Sequence, residues 1–417
     1  FMRILFLNQC FHPDLMASGQ QLTSLAKELA ERGHQVTVLT SNRGYDNPSL
    51  RFPRHETWHG IAIIRIPSLA LGKTKKWQRA LNFGSFLLLC AFRLLLLPRF
   101  DVVVALTSPP LISLLGATFV RLKGGRFFFW ILDLNPDEAI AAGWLKGHSA
   151  AARVLERLLR YSLQTAERVI VLDRFMRQRI KEKGIPEEQV AVVPPWALDD
   201  AIHYDKKGRR NFREQEELFD NFVVMYSGNH SPCHPLDTLL AAALRLSGRE
   251  DIAFCFVGGG SEHAKVRSFA ALHSLGNIRC LPYQPLGQLS ASLSAADLHI
   301  VVMGDGFAGV IHPCKIYNIL SIGAPFLYIG PEKSPIADIV TDSKGYQAFA
   351  ARNGDVERVV QCILQVQGKR PSWTLRSKDG RFSKATVLPH MIRLFEKESM
   401  VACAEELGKM RANHAKA

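Results

Sequence analysis

The feature that most constrains this chain is a series of short, almost continuously apolar segments, each followed by a stretch with helical periodicity. RILFLNQCF, HQVTVLTS, IAIIRIPS, DVVVALTS, RFFFWILD and ERVIVLD read as strands. Strands with no polar face belong to parallel sheets covered by helices on both sides. The first strand passes through HPDLMASGQQ into the helical run LTSLAKELAERG, where Gly33 stops the helix before HQVTVLTS. That order is a βαβ unit.

The alternation breaks once. Residues 196–221 contain HYDKKGRRNFREQEELFD, which is charged, lacks a strand pattern and reads as a surface connection. A second series follows: the strand NFVVMYSGN, the helix LDTLLAAALRL, the strand IAFCFVGGG, the helix AKVRSFAALHSL, the strands IRCLPY and DLHIVVM, the helix CKIYNILSIG, the strand APFLYIG and the helix VERVVQCILQV. A chain of 417 residues is too long for one ordinary core. The expectation is an α/β protein of two Rossmann-like domains, 1–205 and 218–380, facing across a cleft. A helical segment at 381–417 either caps the second domain or crosses back to the first. Ligands of such folds bind at the carboxyl ends of the strands.

The chain carries 52 Lys and Arg against 38 Asp and Glu, a formal net charge of +14. That excess suits nucleic acid, an anionic membrane surface or phosphorylated substrates. The basic residues are dispersed and no nucleic-acid module is present, so nucleic acid ranks last. Eight Cys stand singly with no CxxC pair, which leaves no zinc or iron–sulfur spacing and predicts free thiols in a reducing compartment. No secretory signal is expected before the first strand. FGSFLLLCAFRLLLLP, at 83–98, is shorter than a membrane span and contains Arg93. GKTKKWQRALN precedes it with Lys73, Lys75, Lys76, Arg79 and Trp77. Segment 72–98 therefore reads either as an amphipathic surface lying on anionic lipid or as a core helix with a solvated basic lead-in.

The loops entering the cleft hold the candidate chemistry. Gly19 lies between the first strand and its helix, where backbone amides can approach a polar ligand, although neither GxGxxG nor a P-loop lysine is present. Gly259 and Glu262 belong to a triple-glycine turn after FCFV. The segment 309–323, GVIHPCKIYNILSIG, brings His312, Lys315 and Asn318 to the start of a helix. A lysine there is disfavoured by the helix dipole and favours an anion partner. Asp133 and Asp137 follow an apolar strand in LDLNPDE. Each is placed to bind or deprotonate a hydroxyl, and Asp133 serves equally as a cap.

These pieces resemble, in order, a bacterial family-4 glycosyltransferase with the GT-B fold, in the branch that makes exopolysaccharide and O-antigen. The resemblance rests on FHPDLMASGQQLTSLAKELAERGHQVTVLTS, FWILDLNPDE, RVIVLDRFMRQRIKEKGIPEEQVAVVPPW, VMYSGN, IAFCFVGGGSE, IRCLPYQP and GFAGVIHPCKIYNILSIGAP. It implies a retaining transferase that needs no metal or other cofactor, with a nucleotide sugar, expected to be UDP-linked, as donor. The first domain would take the acceptor, a polyprenyl diphosphate-linked saccharide, at the cytoplasmic face of the membrane. The second would take the donor, its diphosphate near His312 and Lys315 and its base near Tyr283. Asn318 stands where many relatives have the second Glu of E-x7-E, and Val310 replaces the first. Asn229 and His234 replace the Arg and Lys common after the first strand of the second domain. A soluble acceptor, or a binding subunit without turnover, are the other readings those departures leave.

Overall fold

The computed structural model describes residues 1–396 except 15, 46, 48, 70, 72–75, 199, 344–346 and 370–379. Lys73, Lys75 and the terminal stretch 397–417 lie outside the described residues. The apolar runs form two sheets. The first contains β1 (Arg3–Leu7), β2 (Gln35–Ser41), β3 (His55–Trp58), β4 (Ile61–Ile66), β5 (Val102–Ala105), β6 (Arg126–Trp130), β7 (Arg168–Val171) and β8 (Val190–Val192). Their order is β3-β4-β2-β1-β5-β6-β7-β8, parallel except for the β3–β4 pair. The second contains β9 (Phe222–Asn229), β10 (Ile252–Gly259), β11 (Ile278–Leu281), β12 (Leu298–Val302), β13 (Phe326–Ile329) and β14 (Ala348–Ala351), in the order β11-β10-β9-β12-β13-β14.

The first sheet carries α1 (Ala17–Glu31), α2 (Lys76–Leu96), α3 (Ile112–Lys123), α4 (Asp137–Ala141), α5 (Ala150–Thr165) and α6 (Arg174–Glu182). With the second are α7 (Lys206–Gln215), α8 (Asp237–Arg245), α9 (His263–Leu272), α10 (Leu286–Ser294), α11 (Lys315–Ile322), α12 (Pro335–Thr341) and α13 (Val356–Gly368). Burial is what holds each helix in place, since isolated helices of this length are marginal in water. Phe86, Ala117, Leu163 and Ile180 bring α2, α3, α5 and α6 onto one face of the first sheet, against Leu5, Val103 and Phe127. Leu25 and Leu29 hold α1 on the other face.

The last described helix, α14 (Lys384–Phe395), packs on that same face through Val387, Met391 and Phe395. Phe395 meets the rings of Phe6 and Phe128 edge-on, at 6.5 and 5.0 Å between centroids. The chain thus runs from the first sheet to the second and returns. The outward and return connectors touch, Ala197 N–H donating to the carbonyl of Phe382 at 2.8 Å.

Two elements depart from the sequence reading. The charged stretch expected to be a bare connection holds α7. Asp205 caps it, accepting from Gly208 N–H at 2.8 Å, and Phe212 enters a small core beside Met225. Two of its three arginines are spent on one acid, with Arg209 at 2.6 Å and Arg213 at 3.3 Å from Asp297. HETW, which lacks an apolar run, forms β3 because an edge strand needs only one partner.

α2 is apolar on both sides. Phe86, Cys90 and Leu94 face the core, while Trp77, Leu81, Leu88, Phe92 and Leu95 stand exposed at helical spacing on the opposite side. Among the described residues no helix is long and apolar enough to cross a membrane.

Candidate active site between the two sheets

The loops after β6 and β12 meet. Leu134 N–H donates to the carbonyl of Val310 at 2.8 Å, which draws the Asp133 loop against the segment leading into α11. Gly309 allows the approach: its φ is +73°, and a Cβ there would lie 2.7 Å from the carbonyl oxygen of Phe175. Further contacts join the halves. Asp173 caps α6 through Oδ1, which accepts from Phe175 and Met176 N–H, and its Oδ2 lies 2.8 Å from His312 Nδ1. Arg174 grips Asp338 at 2.6 and 2.9 Å, and Arg179 Nε donates to the carbonyl of Ala308 at 3.1 Å. The other nitrogen of His312 lies 2.7 Å from the Tyr317 hydroxyl. His312 is therefore a strut, with no ring nitrogen left for a phosphate.

Lys315 opens α11 and turns back over Tyr226. Its Nζ sits 3.5 Å from the ring centroid, buried and, among the described residues, with no hydrogen-bond partner. Gly228 has φ +134°, which side chains rarely adopt, and a Cβ there would come within 3.2 Å of that nitrogen, a tight contact. Burial pushes the ammonium well below its ordinary pKa. A desolvated cation–π contact returns about 2 kcal/mol, whereas an uncompensated buried charge costs several. Among the described residues no carboxylate pairs with the Lys315 ammonium.

Two histidines flank it. His234 Nδ1 lies 2.7 Å from the carbonyl of Val302, and burial, with Lys315 alongside, pushes the imidazole down to about 3. His230 Nδ1 lies 3.0 Å from Gly228 O, and burial followed by the fields of His263 and Lys315 takes it to about 4. Both rings are neutral at physiological pH. Each donates from Nδ1, so each presents a lone pair at Nε2.

The triple-glycine turn lies beside this group. Gly258, at φ +133°, passes so close to the backbone of Gly228 that any side chain would collide, and Tyr283 lies over Gly259, donating to its carbonyl at 3.3 Å. Glu262 N–H donates to His230 O at 3.0 Å, and its carboxylate stands 3.7 Å from Lys265. The Asn229 side chain lies against Gly260. Asn318 is half-buried one turn beyond Lys315 on α11.

Across the junction, Asp133 stands at the mouth of a cavity of ≈160 Å³ walled by Leu106, Leu111, Phe129, Leu134 and Leu159. Its outer side is open to solvent while protein surrounds the rest. Desolvation, with the like charge of Glu138 second, raises its pKa. Burial pushes Cys314, the residue before Lys315, up to about 12, and the charge of Asp133 adds to that rise. Asp133 and Lys315 thus stand on the two segments that Leu134 N–H and the Val310 carbonyl join. Asp137 is not: Lys183 holds it at 2.8 Å and Arg179 at 3.9 Å. Gly19 lets the first turn of α1 close on Cys10, where a Cβ would meet backbone at 3.3 Å. Sequence reasoning missed Tyr226 and Asp173. A tyrosine inside the apolar strand FVVMYSGN was the one available signal for the first.

A family model described as a glycosyl transferase 4-like domain matches residues 17–196. The WcaI chain of Escherichia coli K12, named as a colanic acid biosynthesis glycosyl transferase, is 29% identical over 341 residues, covering 77% of this chain and 82% of that one. WbjE of Pseudomonas aeruginosa, named as a glycosyltransferase, is 27% identical over 248 residues, 59% of this chain and 61% of its own. Among solved structures, HepE of Anabaena in complex with UDP and glucose superposes with a TM-score of 0.70 at 16% identity, over 95% of this chain and 100% of that one. At that identity the likeness is one of fold.

Proposed function

The chain is a family-4 glycosyltransferase with the GT-B fold, and from that premise we propose that it moves a sugar, with retention, from a UDP-sugar to a lipid-linked saccharide during surface polysaccharide synthesis. The observation that carries this reading is the buried Lys315 ammonium, which has no counter-ion among the described residues and faces Gly228 at the carboxyl end of β9. A nucleotide diphosphate supplies the missing charge. On this reading residues 218–380 take the donor: Lys315 meets the diphosphate, the lone pairs of His230 and His234 accept from donor hydroxyls, and Tyr283 over Gly259 holds the base. Residues 1–205 take the acceptor, whose hydroxyl is hydrogen-bonded by Asp133. UDP is favoured because a protein of the same fold holds it.

The reaction proceeds on one face of the sugar. The bond from the anomeric carbon to the β-phosphate oxygen breaks as the bond to the acceptor oxygen forms, and the acceptor proton passes to the departing phosphate. Lys315 stabilises the charge growing on that phosphate in a dry site, where such an interaction is strongest. Orientation supplies much of the remaining acceleration. No cofactor enters this scheme. The exposed apolar side of α2 lies on the cytoplasmic leaflet as a peripheral contact and keeps the lipid-linked acceptor within reach.

The test is transfer of label from UDP- and GDP-sugars into lipid extract of the source cells. Labelled lipid from a UDP-sugar is the expected product. Label appearing only on water-soluble saccharides would replace the acceptor assignment, and nucleotide-sugar binding without any product would remove the transferase role.

A further inference from the structure

The exposed side of α5 runs against local helix rules. Arg153, Arg157 and Arg160 occupy i, i+4 and i+7, all exposed on one face. Like charges at that spacing destabilise a helix by about 0.2–0.5 kcal/mol a pair. The first turn holds no acid, so Arg153 also stands near the positive end of the helix dipole without relief. Among the described residues none of the three has a hydrogen-bond or ion-pair partner. The acid beside them, Glu156, is taken by Lys183 at 2.9 Å. A local penalty with no compensation among the described residues points to compensation from outside the chain.

The arginines line a groove of ≈370 Å³ closed by Pro136, Ile140 and Gly147. Pro136 also walls the cavity that opens at Asp133. The groove and the acceptor end of the site therefore share a partition. α5 packs on the same face of the first sheet as α2, whose outer side is apolar. An acceptor with its sugar at Asp133 and its hydrocarbon on the α2 surface carries its linking phosphates along this side of the sheet. Arginine forks suit phosphate oxygens, and a row of three spans more than one phosphate.

We propose that the Arg153–Arg157–Arg160 groove binds the diphosphate that joins the acceptor sugar to its polyprenyl chain. The assignment rests on the lipid-linked acceptor of the preceding subsection and adds the residues that recognise it. Farnesyl diphosphate is the probe, titrated into the full chain with excess UDP present so that the Lys315 pocket is occupied.

The Arg153→Ala/Arg157→Ala/Arg160→Ala variant is expected to bind it at least about tenfold more weakly, with UDP affinity unchanged and the melting temperature the same or higher, because all three side chains are exposed and a like-charged row is removed. The corresponding triple Lys variant should recover part of the loss, since the charge is kept and the fork removed. Undiminished binding in the Ala variant overturns the proposal while leaving lipid labelling intact. If the wild type neither binds the probe nor labels lipid, the acceptor reading fails with it. Loss of binding to phosphatidylglycerol vesicles, with farnesyl diphosphate binding unchanged, would make the row a headgroup surface and also overturn the assignment.

Discussion

His312 and Lys315 stand three residues apart on one loop and helix start, and they are built by opposite rules. Every polar atom of the His312 ring is satisfied, by Asp173 from the first half and Tyr317 from the second. Lys315 has a buried ammonium, an aromatic ring beneath it and no partner. The first arrangement lowers the energy of the folded chain by itself. The second raises it, and makes sense only with an anion present. On the proposed reading, function is concentrated where the chain is left electrostatically incomplete, a short step from where it is most complete.

The largest expected effect sharpens that contrast. Lys315→Ala or Lys315→Met should reduce turnover about 10²–10³-fold, the range for removing a donor from a preorganised charge-stabilising site. The Met variant should melt at the same temperature or higher, because it removes a buried charge that nothing neutralises. Turnover near wild type, or a lowered melting temperature, would break the comparison from the Lys315 side. His312→Ala tests the other side. Leaving Asp173 and Tyr317 unpaired should cost about 2–4 kcal/mol in denaturant unfolding, and an unchanged midpoint would end its role as a strut.

A smaller effect follows from the histidines beside Lys315. Their folded pKa values, about 4 for His230 and about 3 for His234, lie below the ordinary 6.5. Between those limits the unfolded chain binds protons that the folded chain refuses. Stability is therefore whole above pH 6.5 and falls as pH drops towards 4, by about 1–2 kcal/mol for each ring by pH 5. The buried His299, pushed to about 4, adds to the same trend. His234→Asn should flatten the slope by nearly one proton, as read from urea unfolding between pH 5 and 7. An unaltered slope would mean that this imidazole is not desolvated. Least of all, Leu88→Gln on the outer side of α2 should change stability by less than about 0.5 kcal/mol. The same substitution should weaken binding to anionic vesicles, as measured by cosedimentation.

Most of the fold was legible because both sheets are parallel and covered, so each strand announces itself as an apolar run such as RFFFW or FVVMY. The strand β3 did not, being an edge of two-sided mixed character. α7 was hidden because its polar face is neutralised by Asp297, an acid far along the chain. The loops of the site were legible for a similar reason: glycines before a helix, and a lysine where the dipole disfavours it. Their partners were not. Nothing local to Lys315 reveals Tyr226, and nothing near His312 reveals Asp173, which lies 139 residues away. Asp133 and Asp137 look alike in LDLNPDE, yet one faces the cavity and the other is consumed by Lys183. Only the packing of α6 against α4 separates them.

The paired connectors carry a mechanical consequence. Because the chain crosses between the halves twice, and the two crossings are joined where Ala197 meets Phe382, the halves behave as two covers bound to a common spine. The clasp opposite that spine is light: Leu134 on Val310, Asp173 on His312, Arg174 on Asp338 and Arg179 on Ala308. These few polar contacts, with the joined crossings, hold the Asp133 loop against the segment that leads into Lys315.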